Sequence, residues 1–131
     1  MTVAQDIQKV QLHITQNMTQ VLVLVMAEVD ARLKMKSPVD TGRFRASWTI
    51  GVGQVDSSVA PAAPAKGTVA IAEPRLPAIT MGQTYYHANS LPYARRLEYG
   101  WSKQAPGGMV RLTAQEVPGI IQALVSQVGG T

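Results

Sequence analysis

The triplet Asp40-Thr41-Gly42 is a segment with the form of a known catalytic motif. In aspartic proteases two such aspartates share a proton across a dimer axis. There the triplet follows an apolar strand, whereas here it follows Ser37-Pro38-Val39, where a helical pattern stops. We therefore interpret it as an ordinary turn, and a dimeric aspartic protease is the remote alternative.

Motifs for metal, phosphate and nucleophilic chemistry are equally weak. The two histidines, His13 and His87, have no aspartate or glutamate at metal-ligand spacing. Gly51-Val52-Gly53 lacks the third glycine and the following helix that cradle a phosphate, and no serine has the surroundings of a nucleophile elbow. The sequence therefore predicts no enzyme activity, no metal, no cofactor and no small-molecule substrate.

Composition sets the outer bounds. The chain has 131 residues, a net charge of +4 and no cysteine, so we expect one domain without disulfides or thiolate zinc sites. The first residues lack the pattern of a signal peptide, and synthesis inside the cell is favoured. Only Val21 to Ala27 is continuously apolar, which is far short of the ~20 residues that span a bilayer. We therefore expect no membrane contact.

A long helix is the clearest element. Apolar residues recur at three- and four-residue steps from Val3 to Lys36, without proline or glycine, and Ser37-Pro38 ends the pattern. Such a helix would be about 50 Å long, which exceeds the width of a domain of this size. It is either a core helix that is bent or broken near Asn17, or a helix that contributes to a subunit interface.

The next segment has a period of two. Apolar and polar residues alternate over Arg43–Val52, which predicts a strand with Arg43 and Arg45 on its exposed face. The following stretch, Gln54–Lys66, is small and dotted with proline, so we expect a long mobile loop there.

Two further strands would complete a small antiparallel sheet. They are Thr68–Glu73 and Ala78–His87, with a bulge at Gly82 in the latter. Pro92 can open a short helix that Gly100 closes.

The last helix has two possible starts. It begins at Thr113 with a capping box and kinks at Pro118, or it begins at Pro118. We predict an α+β fold in which the short helix and the C-terminal helix pack on the sheet. The single domain covers residues 1–131, with the long helix at 1–36, the sheet region with its mobile loop (54–66) at 43–88 and a helical part at 91–128.

Arginine and aromatic residues gather in two segments. The candidates are Arg43, Arg45 and Trp48 in the first segment, and Tyr93, Arg95, Arg96, Glu98, Tyr99, Trp101 and Arg111 in the second. This composition is typical of protein interfaces and, less specifically, of nucleic-acid contacts. We favour a protein interface. A local ion pair of Arg95 with Glu98 is the alternative interpretation of the second segment.

The order of these segments resembles that of a known family. Ser-Pro-Val-Asp-Thr-Gly-Arg-Phe-Arg-Ala-Ser-Trp begins at Ser37, Pro-Tyr-Ala-Arg-Arg-Leu-Glu-Tyr-Gly begins at Pro92, and Gln104 to Arg111 leads into the last helix. The chain is similar from Ser37 onward to the neck or tail-completion proteins of long-tailed bacteriophages. These form the putative tail-component family of the lambda minor tail protein Z type.

The resemblance implies a structural virion protein at the head–tail junction, made in the cytoplasm of the bacterial host. It would form a homo-oligomeric ring, expected to be a hexamer, around the DNA passage, next to other neck and tail proteins and in non-specific proximity to DNA. Arg43 and Arg45 would face the lumen or the neighbouring subunit, while Tyr93, Tyr99 and Trp101 would anchor subunit contact. A tail terminator or stopper ring is the alternative with the same architecture.

Overall fold

The computed structural model describes residues 2–40, 42–61 and 76–129. The elements in chain order are α1 (Val3–Lys36), α2 (Arg43–Ala46), β1 (Trp48–Val52), β2 (Tyr85–Asn89), α3 (Ala94–Glu98) and α4 (Val110–Gly129). A long N-terminal helix, a two-stranded antiparallel sheet, a short helix and a C-terminal helix confirm the predicted α+β class. Within these described ranges no helix is long and apolar enough to cross a bilayer.

Helix α1 runs without interruption from one end to the other. It begins with a capping box in which Thr2 and Gln5 exchange side-chain and backbone hydrogen bonds. The helix continues through Asn17, so a break there, one of the alternatives left open by the sequence, is wrong. At 1.5 Å per residue it is about 50 Å long, as expected from the sequence.

Ser37 ends α1 and ties this end to the sheet. Its hydroxyl donates to the Leu33 carbonyl at 2.6 Å and accepts from the Trp48 indole N–H at 2.7 Å. The Arg45 guanidinium donates to the Ser37 carbonyl at 3.3 Å. Because Ser37 and Trp48 are both buried, these bonds fix the direction in which the chain leaves the helix.

Residues 43–46 form a helical turn, and the predicted strand over Arg43–Val52 is therefore wrong in its first half. Gly42 adopts a left-handed φ of 91°, and its carbonyl accepts from the Ala46 N–H to close the turn. Phe44 and Trp48 lie four residues apart, a spacing that satisfies both a strand face and a helix face. Their rings meet edge to face at 5.9 Å.

The sheet is smaller than predicted within the described residues. β1 and β2 pair antiparallel, with Trp48 opposite Asn89 and Val52 opposite Tyr85. The predicted third strand starts too early, because the residues before Tyr85 form a turn at Met81-Gly82 instead of a bulged strand.

The connection between the two strands is only partly described. Residues 54–61 have no regular structure, which agrees with a loop there. The rest of the predicted loop Gln54–Lys66, from residue 62 on, lies outside the described residues, and so does the predicted strand Thr68–Glu73.

The core lies where the C-terminal end of α1 meets the other elements. Leu33, Phe44, Trp48, Leu91 and Met109 form it. All five are less than a tenth exposed. Leu91 and Met109 lie just before α3 and α4, and Leu97 of α3 packs against the cluster, so α1, α2, β1, α3 and the start of α4 converge at this point.

Helix α4 packs on α1, which corrects the expectation that it packs on the sheet. It begins at Val110, neither at Thr113 nor at Pro118, and Pro118 lies inside it. Its start is beside the end of α1, where Glu116 pairs with Arg32 and Lys36. Because α4 contacts α1 extensively from there, it must run back along α1 in the antiparallel direction.

We expect Ser37→Ala to lower the free energy of unfolding by about 1–3 kcal/mol, because the buried Trp48 indole N–H loses its acceptor. Urea unfolding of the purified protein measures this change. Trp48→Phe removes the donor, so Ser37→Ala should cost less in that background than in the wild-type chain. Equal costs in the two backgrounds would contradict the role given to this hydrogen bond.

Candidate functional site

Glu98, at the end of α3, holds the first turn of α4. One carboxylate oxygen accepts from the backbone N–H groups of Met109 and Val110 at 2.8 and 2.7 Å. The other accepts from the backbone N–H of Arg111 at 3.1 Å and from its Nε at 3.0 Å. A helix N-terminus leaves such donors without intrahelical partners, and a carboxylate also suits its dipole. Glu98 therefore caps a helix that begins twelve residues later in the chain.

The local pairing of Glu98 with Arg95, open at the level of sequence, is not the pairing in the structure. Arg111 is its partner, and the guanidinium of Arg111 also donates to the Glu98 backbone carbonyl. Gly108 is needed for this approach, since its φ is 85° and an added Cβ would lie 2.6 Å from the Glu98 carboxylate. The alternative of an Arg95–Glu98 ion pair missed a partner that is distant in sequence.

The pKa of Glu98 reflects the same contacts. Burial raises it, and the hydrogen bonds from Met109, Val110 and Arg111 lower it. The hydrogen bonds outweigh burial, so the pKa lies below its ordinary value of 4.5. The carboxylate is therefore ionised at neutral pH, as a cap of this kind requires.

Three arginines and two aromatic residues form one surface around this cap. Arg111 and Arg95 approach the Tyr99 ring at 5.0 and 6.0 Å, and Arg96 lies 5.5 Å from the centroid of the Trp101 ring. We call these five residues the arginine–aromatic surface. Tyr99 is 66% exposed and Trp101 is 75% exposed. The two rings line one groove, and exposed aromatic residues grouped in this way are typical of interaction surfaces.

Charge on this surface is poorly balanced. Arg95 and Arg96 form no ion pair with any carboxylate in the described part of the chain, while Glu98 is fully engaged by α4 and Arg111. An open groove of about 530 Å³ lies between Arg95, Arg96 and Trp101. A planar guanidinium beside an aromatic ring offers donors and an apolar wall together, which suits a carboxylate or a phosphate.

Arg43, Arg45 and Trp48, the candidates of the first segment, make contacts within the subunit. Arg43 Nε donates to the Ala60 carbonyl at 2.9 Å, and Arg45 holds Ser37. Trp48 is in the core. Tyr93 joins the two segments, since its ring lies 6.0 Å from that of Phe44. The prediction that Arg43 and Arg45 share an exposed strand face is therefore wrong, because both belong to α2 and both bind backbone carbonyls.

Comparison of this chain with protein-family models, curated proteins and solved structures finds no match. The site must therefore be interpreted from its own geometry.

A second exposed surface lies at the other end of the molecule. Residues 3–16 of α1 extend past the end of α4, and all of them are exposed; we call them the arm. Its apolar members are Val3, Ile7, Val10, Leu12 and Ile14, each at least half exposed. Between residues 2 and 16 only Asp6 and Lys9 carry charge. An uncharged apolar helix face in water is costly, so a partner is expected to cover it.

Other candidate chemistry gains no support from the geometry. Asp40 is exposed and leads into α2 instead of following a strand, and Thr41 lies outside the described residues. No three histidine, aspartate or glutamate side chains of the described residues come together as a metal site would require. His87 is half-buried, and both of its ring nitrogens are buried without hydrogen-bond partners within the described residues.

We expect Glu98→Gln to lower the free energy of unfolding by roughly 1.5–3 kcal/mol, because a neutral amide caps the N-terminus of α4 less well than a carboxylate. Chemical denaturation at pH 7 measures this change. Glu28→Gln is the matched control, since Glu28 pairs only on the surface of α1 and its loss should cost less than about 1 kcal/mol.

The loss of stability at acid pH gives a second test of the Glu98 cap. The stabilisation by Glu98 is complete above 4.5, its ordinary pKa, and is lost as pH falls through the lower folded-state pKa. The stability of Glu98→Gln should therefore fall less steeply than that of the wild type below pH 4.5. If the free energy of unfolding fell equally with pH in the variant and the wild type, the carboxylate would not be the cap.

We expect acidification to destabilise the fold through His87. Burial lowers the pKa of His87 below 6.5, and nearby Asp30 only partly offsets this. The unfolded chain therefore takes up the proton first, and stability should fall as pH drops below 6.5. Urea unfolding at pH values above and below 6.5 measures this loss, which should shrink in His87→Phe and persist in the exposed-site control His13→Phe. The same loss in His87→Phe would contradict the assignment.

Proposed function

We propose that this protein is a structural component of a bacteriophage neck, where copies of it form a ring around the DNA passage and join head to tail. The observation that carries the proposal is the presence of two exposed surfaces with different chemistry on one chain. One is the apolar arm, and the other is the arginine–aromatic surface. The order of the segments from Ser37 to Arg111 supports the same assignment through the resemblance described above.

The two surfaces are far apart. Leu97 of α3 and Met109 pack around Leu33, which places the arginine–aromatic surface at the C-terminal end of α1. The arm ends at residue 16, seventeen helical residues before Leu33, so roughly 25 Å of α1 separates them. A ring needs two different patches on each subunit, because each copy meets its neighbours through unlike faces. Two distant unlike surfaces meet this requirement.

The arginine–aromatic surface suits contact with acidic partners. Arg95 and Arg96 supply unsatisfied donors, and Tyr99 and Trp101 supply apolar area that gains by being covered. In a neck, the partners with this chemistry are acidic segments of adjoining proteins and the phosphates of the DNA in the passage. Arg43 and Arg45, which support the inside of the subunit, contribute to neither.

The test is genetic. Deletion of the gene from a phage that carries it should leave filled heads and finished tails that do not join, as electron microscopy of the lysate would show. A plasmid copy of the wild-type gene should restore joined particles. Normal virions from the deletion phage would overturn the proposal.

A matched pair of variants locates the surface. Arg96→Ala with Trp101→Ala should fail to restore joining, since it removes a guanidinium and the ring beside it. The control, Lys9→Ala with Gln8→Ala, changes two polar residues of the arm and none of its apolar members, and should restore particles normally. Both proteins must be folded, which circular dichroism of the purified variants checks.

A further inference from the structure

The backbone at the end of α3 fixes Trp101 beside Arg96. The Trp101 N–H donates to the Arg96 carbonyl at 3.1 Å, and the Gly100 N–H donates to the Leu97 carbonyl at 3.3 Å, which is the pairing of a Schellman motif. Gly100 supplies the left-handed φ of 85° that the motif requires. The Arg96 guanidinium then lies 5.5 Å from the centroid of the Trp101 ring. This pair is therefore positioned before any partner binds.

The groove beside this pair offers two kinds of contact at once. It is open, has a volume of about 530 Å³ and is lined by Pro92, Arg95, Arg96, Tyr99, Gly100 and Trp101. Arg95 and Arg96 are exposed and pair with no carboxylate in the described part of the chain. Pro92, Tyr99 and Trp101 are also exposed and form an apolar wall. A ligand that fills the groove must therefore carry negative charge and apolar surface close together.

The net charge of the chain is concentrated around this groove. Residues 92–111 contain four basic residues and one acidic residue, so they carry +3 of the net charge of +4. The acidic residue is Glu98, which is bound to the start of α4 and to Arg111. Electrostatic complementarity therefore selects an anionic partner.

A second copy of this chain does not offer such a partner. Glu28 and Asp30 are the only acidic residues less than ten positions apart in the sequence. Both are bound within α1, by Arg32 and Lys34. An isolated carboxylate balances the charge of only one of two adjacent guanidiniums. The occupant of the groove therefore comes from a different molecule.

Duplex DNA matches only half of the groove. Its outer surface presents phosphates, which suit Arg95 and Arg96, but its bases are stacked inside and leave the exposed Trp101 ring uncovered. A peptide carries carboxylates and apolar side chains on neighbouring residues. Such a peptide covers the guanidiniums and the ring together, so the chemistry of the groove favours a peptide.

We infer that the groove binds an acidic segment of a different protein, in which carboxylates lie next to apolar side chains. The carboxylates pair with the guanidiniums of Arg95 and Arg96, and a neighbouring apolar side chain packs on the Trp101 ring. The inference rests on the proposed function, since it names the chemistry by which the subunit would hold an adjoining neck or tail protein. It assigns the groove to a peptide, and not to DNA or to a second copy of the chain.

Tryptophan fluorescence of the purified protein measures this binding. Trp48 is buried and Trp101 is 75% exposed, so a ligand in the groove changes mainly the emission of Trp101. The probe is the acetylated and amidated peptide Gly-Asp-Leu-Asp-Leu-Gly, in which the two aspartates carry the only charges. We expect saturable binding with a Kd of about 1 mM or lower. The Trp101 emission should shift to shorter wavelength as the ring leaves water, and Trp101→Phe should remove that shift.

Two altered peptides separate the contribution of charge from that of apolar contact. Replacement of both aspartates by asparagine should weaken binding at least about tenfold, because the charge-assisted hydrogen bonds to the guanidiniums are lost. Replacement of both leucines by glycine should weaken it at least about fivefold, because no side chain then covers the ring. If either altered peptide bound as tightly as the original, the inference would be wrong.

A matched pair of single substitutions locates the binding on the protein. Arg96→Gln should weaken binding of the original peptide at least about tenfold. Lys103→Gln removes the same charge from an exposed residue outside the groove, and should change the affinity less than about twofold at about 0.15 M salt. Both side chains are exposed, so both variants should unfold near the same urea concentration as the wild type. Equal weakening by the two would show that only net charge matters, which would overturn the inference.

DNA provides the opposing outcome. A short oligothymidylate and a short duplex, titrated in the same buffer, should bind the wild type more weakly than the peptide does. Tighter binding of either DNA, lost in Arg96→Gln, would assign the groove to nucleic acid and overturn the inference. The absence of peptide binding at about 5 mM would overturn it as well.

These outcomes are distinguishable from those that test the proposed function. If the peptide binds as expected but heads and tails join without the gene, the groove is a peptide site and the neck assignment is wrong. If joining requires the gene but the peptide does not bind, the neck assignment holds and the assignment of the groove is wrong.

Discussion

The carboxylate of Glu98 is the interaction on which the arrangement of the C-terminal half depends. It satisfies three consecutive backbone N–H groups at the start of α4 and pairs with Arg111. This sets where α4 begins and, with the Glu116 ion pairs to α1, the direction in which it runs. The length of α1 that α4 leaves uncovered is a consequence, because a helix that begins at Val110 and ends at Gly129 cannot reach the first turns of α1.

Glu98 also shapes the candidate site. Glu98 is the only carboxylate of α3, and it is bound to the start of α4. Arg95 and Arg96 therefore have no acidic partner in the described residues. Arg111, drawn in by Glu98, comes to lie against Tyr99. One group thus produces both the stable junction of two helices and the unbalanced cationic surface beside it.

The sequence predicts the elements whose pattern is long and unambiguous. The 34-residue helix and its stop at Ser37 are clear because periodicity over that length has no alternative. The segment that begins at Arg43 is ambiguous, because the spacing of Phe44 and Trp48 suits a strand and a helical turn equally well. The choice comes from tertiary contacts, chiefly Phe44 in the core and Gly42 at its left-handed φ.

Long-range partners explain the remaining errors. The start of α4 is set by Glu98 and not by a cap of its own, so neither Thr113 nor Pro118 could reveal it. The sequence predicts that Arg43 and Arg45 are exposed. In the structure they bind backbone carbonyls that only folding brings close to them. Arg95, Arg96, Tyr99 and Trp101 lie on one surface as their closeness in sequence predicts, because a short helix and its end bring neighbours together.

The pairing of β1 with β2 closes a long excursion of the chain between positions 53 and 84. The Gly53 N–H donates to the Thr84 carbonyl at 2.8 Å, which shuts this excursion at its base. Closure entropy grows only logarithmically with length, so doubling such a connection costs about 0.6 kcal/mol. The connection between positions 53 and 84 can therefore accept inserted sequence, such as an epitope or a fluorescent module, with little effect on the free energy of folding. That property offers a place to label the protein.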